Sequence, residues 1–200
     1  MRDERAELRG QLRQQLRSRR RALPPNERIQ GADRLAEHLL ALPFAPPSGY
    51  VAGYWAMDGE IALHAWQMKL PPAYVYCLPV LHDEAGLRFA PWRPGDGLVS
   101  NRFGIPEPDV AASSLLDPKQ MALVVLPLVG FGLQGQRLGM GGGWYDRTFA
   151  FRRTQPAPPW LVGAAFASQQ LETLEAAEWD VALDAVCTDA GSFDFRAITA

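Results

Sequence analysis

From Met121 the chain reads Met-Ala-Leu-Val-Val-Leu-Pro-Leu-Val-Gly130, a β-branched apolar run of buried-strand length. Close behind it, residues 137–147 read RLGMGGGWYDR, with four glycines in five positions. A glycine cluster gives up side-chain burial and costs more backbone entropy on ordering than any other residue type. That loss is compensated where the chain turns through positive φ, or where backbone N–H groups approach an anion at the start of a helix. Residues 145–151 read as a short helix, so strand, glycine loop and helix follow one another in the layout of a phosphate-binding loop.

The other segments alternate in the same way. Residues 5–23 predict a helix with Leu8, Leu12 and Leu16 on one stripe and Arg5, Arg9, Arg13 and Arg17 on another, ended by Pro24-Pro25-Asn26. A second helix is predicted over 27–42, with Ile29, Ala32, Ala36, Leu39 and Leu40 inward, and a third over 61–70. Strands are predicted at 50–55, 74–78, 87–90, 123–129, 160–166 and 185–187, and residues 152–159, with three prolines, read as an exposed loop. Apolar strands separated by helices imply an α/β fold, a single three-layer domain over residues 1–200, with a mostly parallel sheet covered on both faces.

A chain of 200 residues with 48% hydrophobic residues can bury a substantial core, and a net charge of −2 supplies no global basic field for nucleic acid. The start, Met-Arg-Asp-Glu-Arg, lacks a signal-peptide apolar stretch, and no apolar run approaches the ~20 residues that span a bilayer, which points to a cytoplasmic protein without membrane contact. Cys77 and Cys187 lie far apart without CxxC spacing and read as reduced core thiols. His38, His64 and His82 share no zinc-ligand spacing. A monomer or weak homo-oligomer is expected.

The glycine loop fits neither generic phosphate motif. No Gly-Lys-Ser/Thr follows it, and Trp144 stands where a dinucleotide fingerprint has its third glycine. Its neighbours favour an anion over a tight turn packed on the sheet: Arg137 precedes it, and Asp146 and Arg147 follow. A guanidinium holds phosphate oxygens bidentately, and a carboxylate beside them suits a bridging magnesium ion. The arginine strip of the first helix admits an RNA-binding module as another class of function, although no RNA-binding motif accompanies it and a solvated face accounts for it better.

These residues resemble the 5-formyltetrahydrofolate cyclo-ligase (5,10-methenyltetrahydrofolate synthetase) family, whose members carry Arg-Leu-Gly-x-Gly-x-Gly-aromatic-Tyr-Asp after a Pro-Leu-Val-x-Phe strand, here Pro127-Leu-Val-Gly-Phe131. Further blocks agree in order: Leu8-Arg9, Tyr-x-x-x-x-Gly-Glu from Tyr54 to Glu60, Asn-x-Phe-Gly-Ile-x-Glu-Pro from Asn101 to Pro108, and Asp-x-x-Leu-Asp-x-Val-x-Thr from Asp180 to Thr188. The resemblance implies ATP- and Mg²⁺-dependent conversion of 5-formyltetrahydrofolate to 5,10-methenyltetrahydrofolate with release of ADP and phosphate. In that reaction the γ-phosphoryl activates the formyl oxygen before N10 attacks. It further implies that Arg137 and the backbone of Leu138, Gly139, Met140, Gly141, Gly142, Gly143, Trp144 and Tyr145 cradle ATP, helped by Arg5 and Arg9. Trp55, Glu60 and the stretch from Met140 to Trp144 border the folate, Asp146 and Asp184 hold Mg²⁺, and Arg137 and Asp146 act in catalysis.

Each role has a plainer rival. Asp146 fits a helix start, Asp184 a loop, Glu60 a turn before a helix, Trp55 and Trp144 a core, and residues 103–107 a structural turn. A paralogue that binds folate or nucleotide without turnover is a further alternative. Two positions depart from the family pattern: Arg5 stands where lysine is usual, and Trp144 where tyrosine is common.

Overall fold

The computed structural model describes residues 2–83 and 86–197, with side chains from residue 6 onward. Two helices open the chain, α1 (Arg2–Arg21) and α2 (Pro25–Leu40), the second with prolines at its start, where a missing N–H costs nothing. There follow β1 (Gly49–Ala52), α3 (His64–Lys69), β2 (Tyr74–His82), β3 (Gly86–Pro91), β4 (Leu98–Ser100), β5 (Pro106–Pro108) and β6 (Met121–Pro127). The remainder is β7 (Gly130–Phe131), β8 (Arg137–Leu138), α4 (Trp144–Thr148), β9 (Trp160–Ala165), β10 (Ala185–Thr188) and β11 (Ser192–Asp194).

The main sheet has the order β11-β10-β9-β6-β1-β2-β3. Its five inner strands are parallel, and β3 and β11 close the edges antiparallel. From β1 the chain steps outward to β2, then returns to the other side of β1 as β6 and continues outward through β9 to β10. Strand order therefore reverses between β1 and β6, and the carboxyl ends of these two strands open the crevice in which doubly wound sheets bind ligands.

Both faces are covered, as the apolar strands demand. Along β6, Leu123 and Val125 pack with Leu35, Leu39, Val51 and Val162 beneath α2 and α3, while Val124 and Leu126 point the other way, among Phe89, Phe131, Phe149 and Val186. A third cluster, Leu16, Val129, Leu138 and Leu174, pins α1 beside the β7–β8 hairpin. On α2 the buried stripe is Gly31, Ala32, Leu35, Ala36 and Leu39. Ile29 and Leu40, expected inward, are 61% and 37% exposed, because they flank that stripe instead of lying on it. Among the described residues, no helix is long and apolar enough to cross a membrane.

Candidate active site

The glycine loop does not follow β6 directly. The β7–β8 hairpin intervenes, pairing Gly130 with Leu138 and Phe131 with Arg137, and this hairpin aims the loop back across the crevice. Gly141 (φ 98°) and Gly143 (φ 65°) adopt left-handed conformations that a side chain would strain. Gly143 is the residue immediately before α4. At the far end of α4, the Thr148 hydroxyl donates to Trp144 O (2.7 Å) and accepts the Leu87 N–H (2.8 Å), fastening this short helix to edge strand β3.

Two cavities meet at the loop. The larger, about 1080 Å³, lies between α1 and residues 170–180, with Arg9, Arg13 and the glycine backbone on its walls. The smaller, about 240 Å³, is apolar and aromatic, lined by Trp55, Leu81, Phe103, Met140 and Trp144 together with Glu60. Arg137, Gly143 and Asp146 line both.

Arg137 is buried and its Nη2 donates to Asp146 Oδ1 (2.6 Å), while its buried Nε has no partner among the described residues. Its guanidinium lies 5.7 Å from the centre of the Tyr145 ring, which stacks in turn on Phe149. Asp146 Oδ1 also accepts the Val181 N–H (3.3 Å), and Oδ2 accepts no hydrogen bond from the described residues. Arg9 donates to Asp180 Oδ2 (3.2 Å) and to Glu175 O (3.1 Å), and Arg13 Nε donates to Gly139 O (2.8 Å). The Arg5 side chain lies outside the described residues. Arg9, Arg13 and Arg17 of the α1 strip are thus not the solvated face that charge alone suggests, since they pair with Asp180, Gly139 and Asp58. Trp144 is flanked by the guanidiniums of Arg147 and Arg102, 4.8 and 5.3 Å from its ring centre.

Trp55 and Glu60 come from the segment after β1. Trp55 packs edge-on against Trp92 (5.8 Å), and Glu60 Oε2 accepts the Met57 N–H (2.9 Å). Burial pushes the Glu60 carboxyl up, opposed by that N–H and by Arg20. Residues 103–107, read from sequence as a structural turn, form with Asn101 a wall of the smaller cavity. Asn101 Oδ1 accepts the Phe103 and Ile105 N–H groups, and its amide donates to Glu107 Oε2, which also accepts the Leu81 N–H. The signal for such a wall is Asn followed by Phe-Gly, an Asx-turn that presents an aromatic side chain.

Asp184 lines neither cavity. Arg152 Nη2 donates to both of its oxygens (2.9 and 3.0 Å), and the Leu161 N–H donates to Oδ2 (2.7 Å). Arg152, expected in an exposed loop, is drawn inside by this pair, whose side chains are 9% and 8% exposed. Asp184→Ala is expected to cost about 3–5 kcal/mol of unfolding free energy by leaving a buried guanidinium uncompensated, measured by chemical denaturation. Among the described residues no three His, Cys, Asp or Glu side chains gather into a metal cage.

Two cavities that share an arginine and a carboxylate, the smaller one beyond the carboxyl ends of β1 and β6 at the switch point of a doubly wound sheet, are the arrangement of an α/β enzyme. The chain belongs to the 5-formyltetrahydrofolate cyclo-ligase family, whose model matches residues 5–189. It is 37% identical over 180 residues to the 5-formyltetrahydrofolate cyclo-ligase of Escherichia coli K12, covering 86% of this chain and 96% of that one. The cyclo-ligase of Haemophilus influenzae is 35% identical over 88% of this chain and 94% of its own. Among solved structures, the 5,10-methenyltetrahydrofolate synthetase of Aquifex aeolicus superposes with a TM-score of 0.80 at 27% identity, over 94% of this chain and 93% of that one. The synthetase of Mycoplasma pneumoniae shares the fold, with a TM-score of 0.67 at 24% identity over 90% and 98%.

Proposed function

We propose that this chain catalyses the ATP-dependent cyclisation of 5-formyltetrahydrofolate to 5,10-methenyltetrahydrofolate, releasing ADP and phosphate. The observation that carries this reading is that Arg137 and Asp146 line both cavities, so one guanidinium and one carboxylate face both substrates. The larger cavity, with Arg9, Arg13 and the glycine backbone, takes ATP, and the smaller takes the flat pteridine between apolar and aromatic walls. Glu60 there accepts the paired N–H donors of the pterin edge. A formamide oxygen is a poor leaving group, and transfer of the γ-phosphoryl to it lets N10 close the ring as phosphate departs. Such a transfer asks the protein mainly for alignment and charge stabilisation. Arg137 supplies both from the partition, where its Nε has no partner among the described residues.

Magnesium is bound by one or two carboxylates plus substrate phosphates, and when bound it neutralises phosphate charge. Asp146, with Oδ2 open, fits that demand, whereas both Asp184 oxygens are occupied by Arg152 and Leu161. We therefore assign the ion to Asp146. The two free buried thiols, pushed up to about 12 by burial, support a reducing, cytoplasmic setting. The enzyme acts there on small molecules, without nucleic acid or membrane, as a monomer or weak homo-oligomer.

Purified protein given 5-formyltetrahydrofolate, ATP and Mg²⁺ is expected to form the methenyl chromophore, and omission of any one abolishes it. Absence of turnover together with salt-sensitive RNA binding overturns the reading. Glu60→Gln tests the pterin contact with two readouts. An acid whose folded pKa is raised costs stability above that pKa, and the loss is recovered as pH falls through it. At pH 7 the glutamine variant is therefore expected to melt at a higher temperature than wild type, while its KM for the folate rises about tenfold to a hundredfold. An unchanged KM removes Glu60 from the folate site.

A further inference from the structure

We infer that Arg20 is a positioning residue for the folate side of the site: from the last turn of α1 it locks the Met57–Glu60 turn onto the end of β6, and so sets where Glu60 presents its carboxylate. The inference rests on the functional reading above for the identity of the ligand, and on the following geometry for the role.

Arg20 is the largest fully buried side chain among the described residues, its side chain only 1% exposed, where an arginine survives only if its donors are satisfied. Nε donates to Asp58 O (3.0 Å), Nη2 to Asp58 Oδ2 (2.9 Å) and Nη1 to Leu128 O (3.2 Å), just past the end of β6. Nη1 also stands 3.9 Å from Glu60 Oε1. A single planar group thus ties helix, turn and central strand together.

The turn it holds is tight. Asp58 (φ 53°) and Gly59 (φ 75°) are consecutively left-handed, closed by Glu60 N–H donating to Met57 O (2.9 Å). Asp-Gly is one of the pairs that adopt two such angles readily. Three guanidiniums fix where the turn sits, because Arg17 and Arg21 also donate to the Asp58 carboxylate. Burial alone would raise the Asp58 carboxyl, but these bonds bring it to about 2, so the clamp is closed throughout the neutral range.

The clamp faces the folate cavity. Trp55, Met57, Asp58 and Glu60, all on the held segment, line it, whereas Arg9 and Arg13, about two to three turns earlier on α1, line the nucleotide cavity. One helix therefore serves both ligands from opposite ends, and its Arg20 end acts on the folate side.

The test uses the full chain with Arg20→Gln, Arg20→Lys and Asp58→Asn, read by KM for each substrate, kcat and melting temperature. Arg20→Gln is expected to raise the KM for 5-formyltetrahydrofolate about tenfold or more, with the KM for ATP changed within about twofold. Arg20→Lys restores the charge without the fork and falls between. Asp58→Asn moves the same way as Arg20→Gln, because asparagine tolerates the left-handed turn but loses the ion pairs. A parallel rise in both KM values, or no rise in either, overturns the inference. Should the Arg20 variants fail to fold, Asp58→Asn carries the same expectation and the same overturning result. Calorimetric binding of 5-formyltetrahydrofolate without ATP separates the two readings. Wild-type protein that does not bind it sinks the functional assignment, while equal binding by wild type and Asp58→Asn sinks the positioning role alone.

Discussion

Arg137→Ala is expected to lower kcat/KM by about 10²–10³-fold, the cost of removing one preorganised charge donor from a water-poor site. Arg137 is the buried cation on the partition between the two cavities, and its Nε already lacks an acceptor among the described residues. A donor buried without a protein partner costs free energy, which a ligand contact at this nitrogen offsets. Arg137→Lys is expected to recover little, because a point charge cannot hold Asp146 and span phosphoryl oxygens at once. Steady-state kinetics with each substrate varied in turn measures the effect. A loss below about tenfold shows that Arg137 serves only to pair with Asp146.

Asp146→Asn preserves shape and removes charge. Its half-saturating Mg²⁺ concentration is expected to rise by at least about tenfold to a hundredfold, the range met when a residue that merely orients a ligand is lost, with turnover falling in step. The plainer role for Asp146, an acid in the first turn of α4, is worth only about 0.3–1 kcal/mol of stability and leaves magnesium dependence unmoved. A magnesium titration of the two proteins at saturating ATP decides between them.

The parallel core is legible in the sequence because β1, β6, β9 and β10 are apolar on both sides and must be covered on both. The pieces that shape the site are harder to see. Strands β7 and β8 are two residues each and are interrupted by Gly132 and Gly135, too short for any alternation to register. Strand β5 begins and ends in proline, which argues against a strand and is tolerated here in a two-stranded pair. The glycine loop, Arg137 and Asp146 stand out from their spacing, and in the fold they adjoin one another between the two cavities. Arg20 is hidden by its own charge, since a basic run on a helix reads as solvated until Asp58 and Leu128 arrive from elsewhere to bury it. For Asp184 the acid is identifiable, but nothing local announces that Arg152 pairs with both its oxygens.

Helix α1 draws its partners from far along the chain. Arg20 relies on a carbonyl 108 residues ahead, Arg13 on one 126 residues ahead, and Arg9 on a carboxylate 171 residues ahead. Closing such long loops is the slow part of assembly, whereas β1, β2, β6 and β9 all precede residue 166 and pair without that helix. The smaller cavity is lined by residues that all precede residue 147, whereas the larger needs the segment around Asp180, so the two are completed at different points along the chain, the larger only when that segment reaches Arg9 on α1.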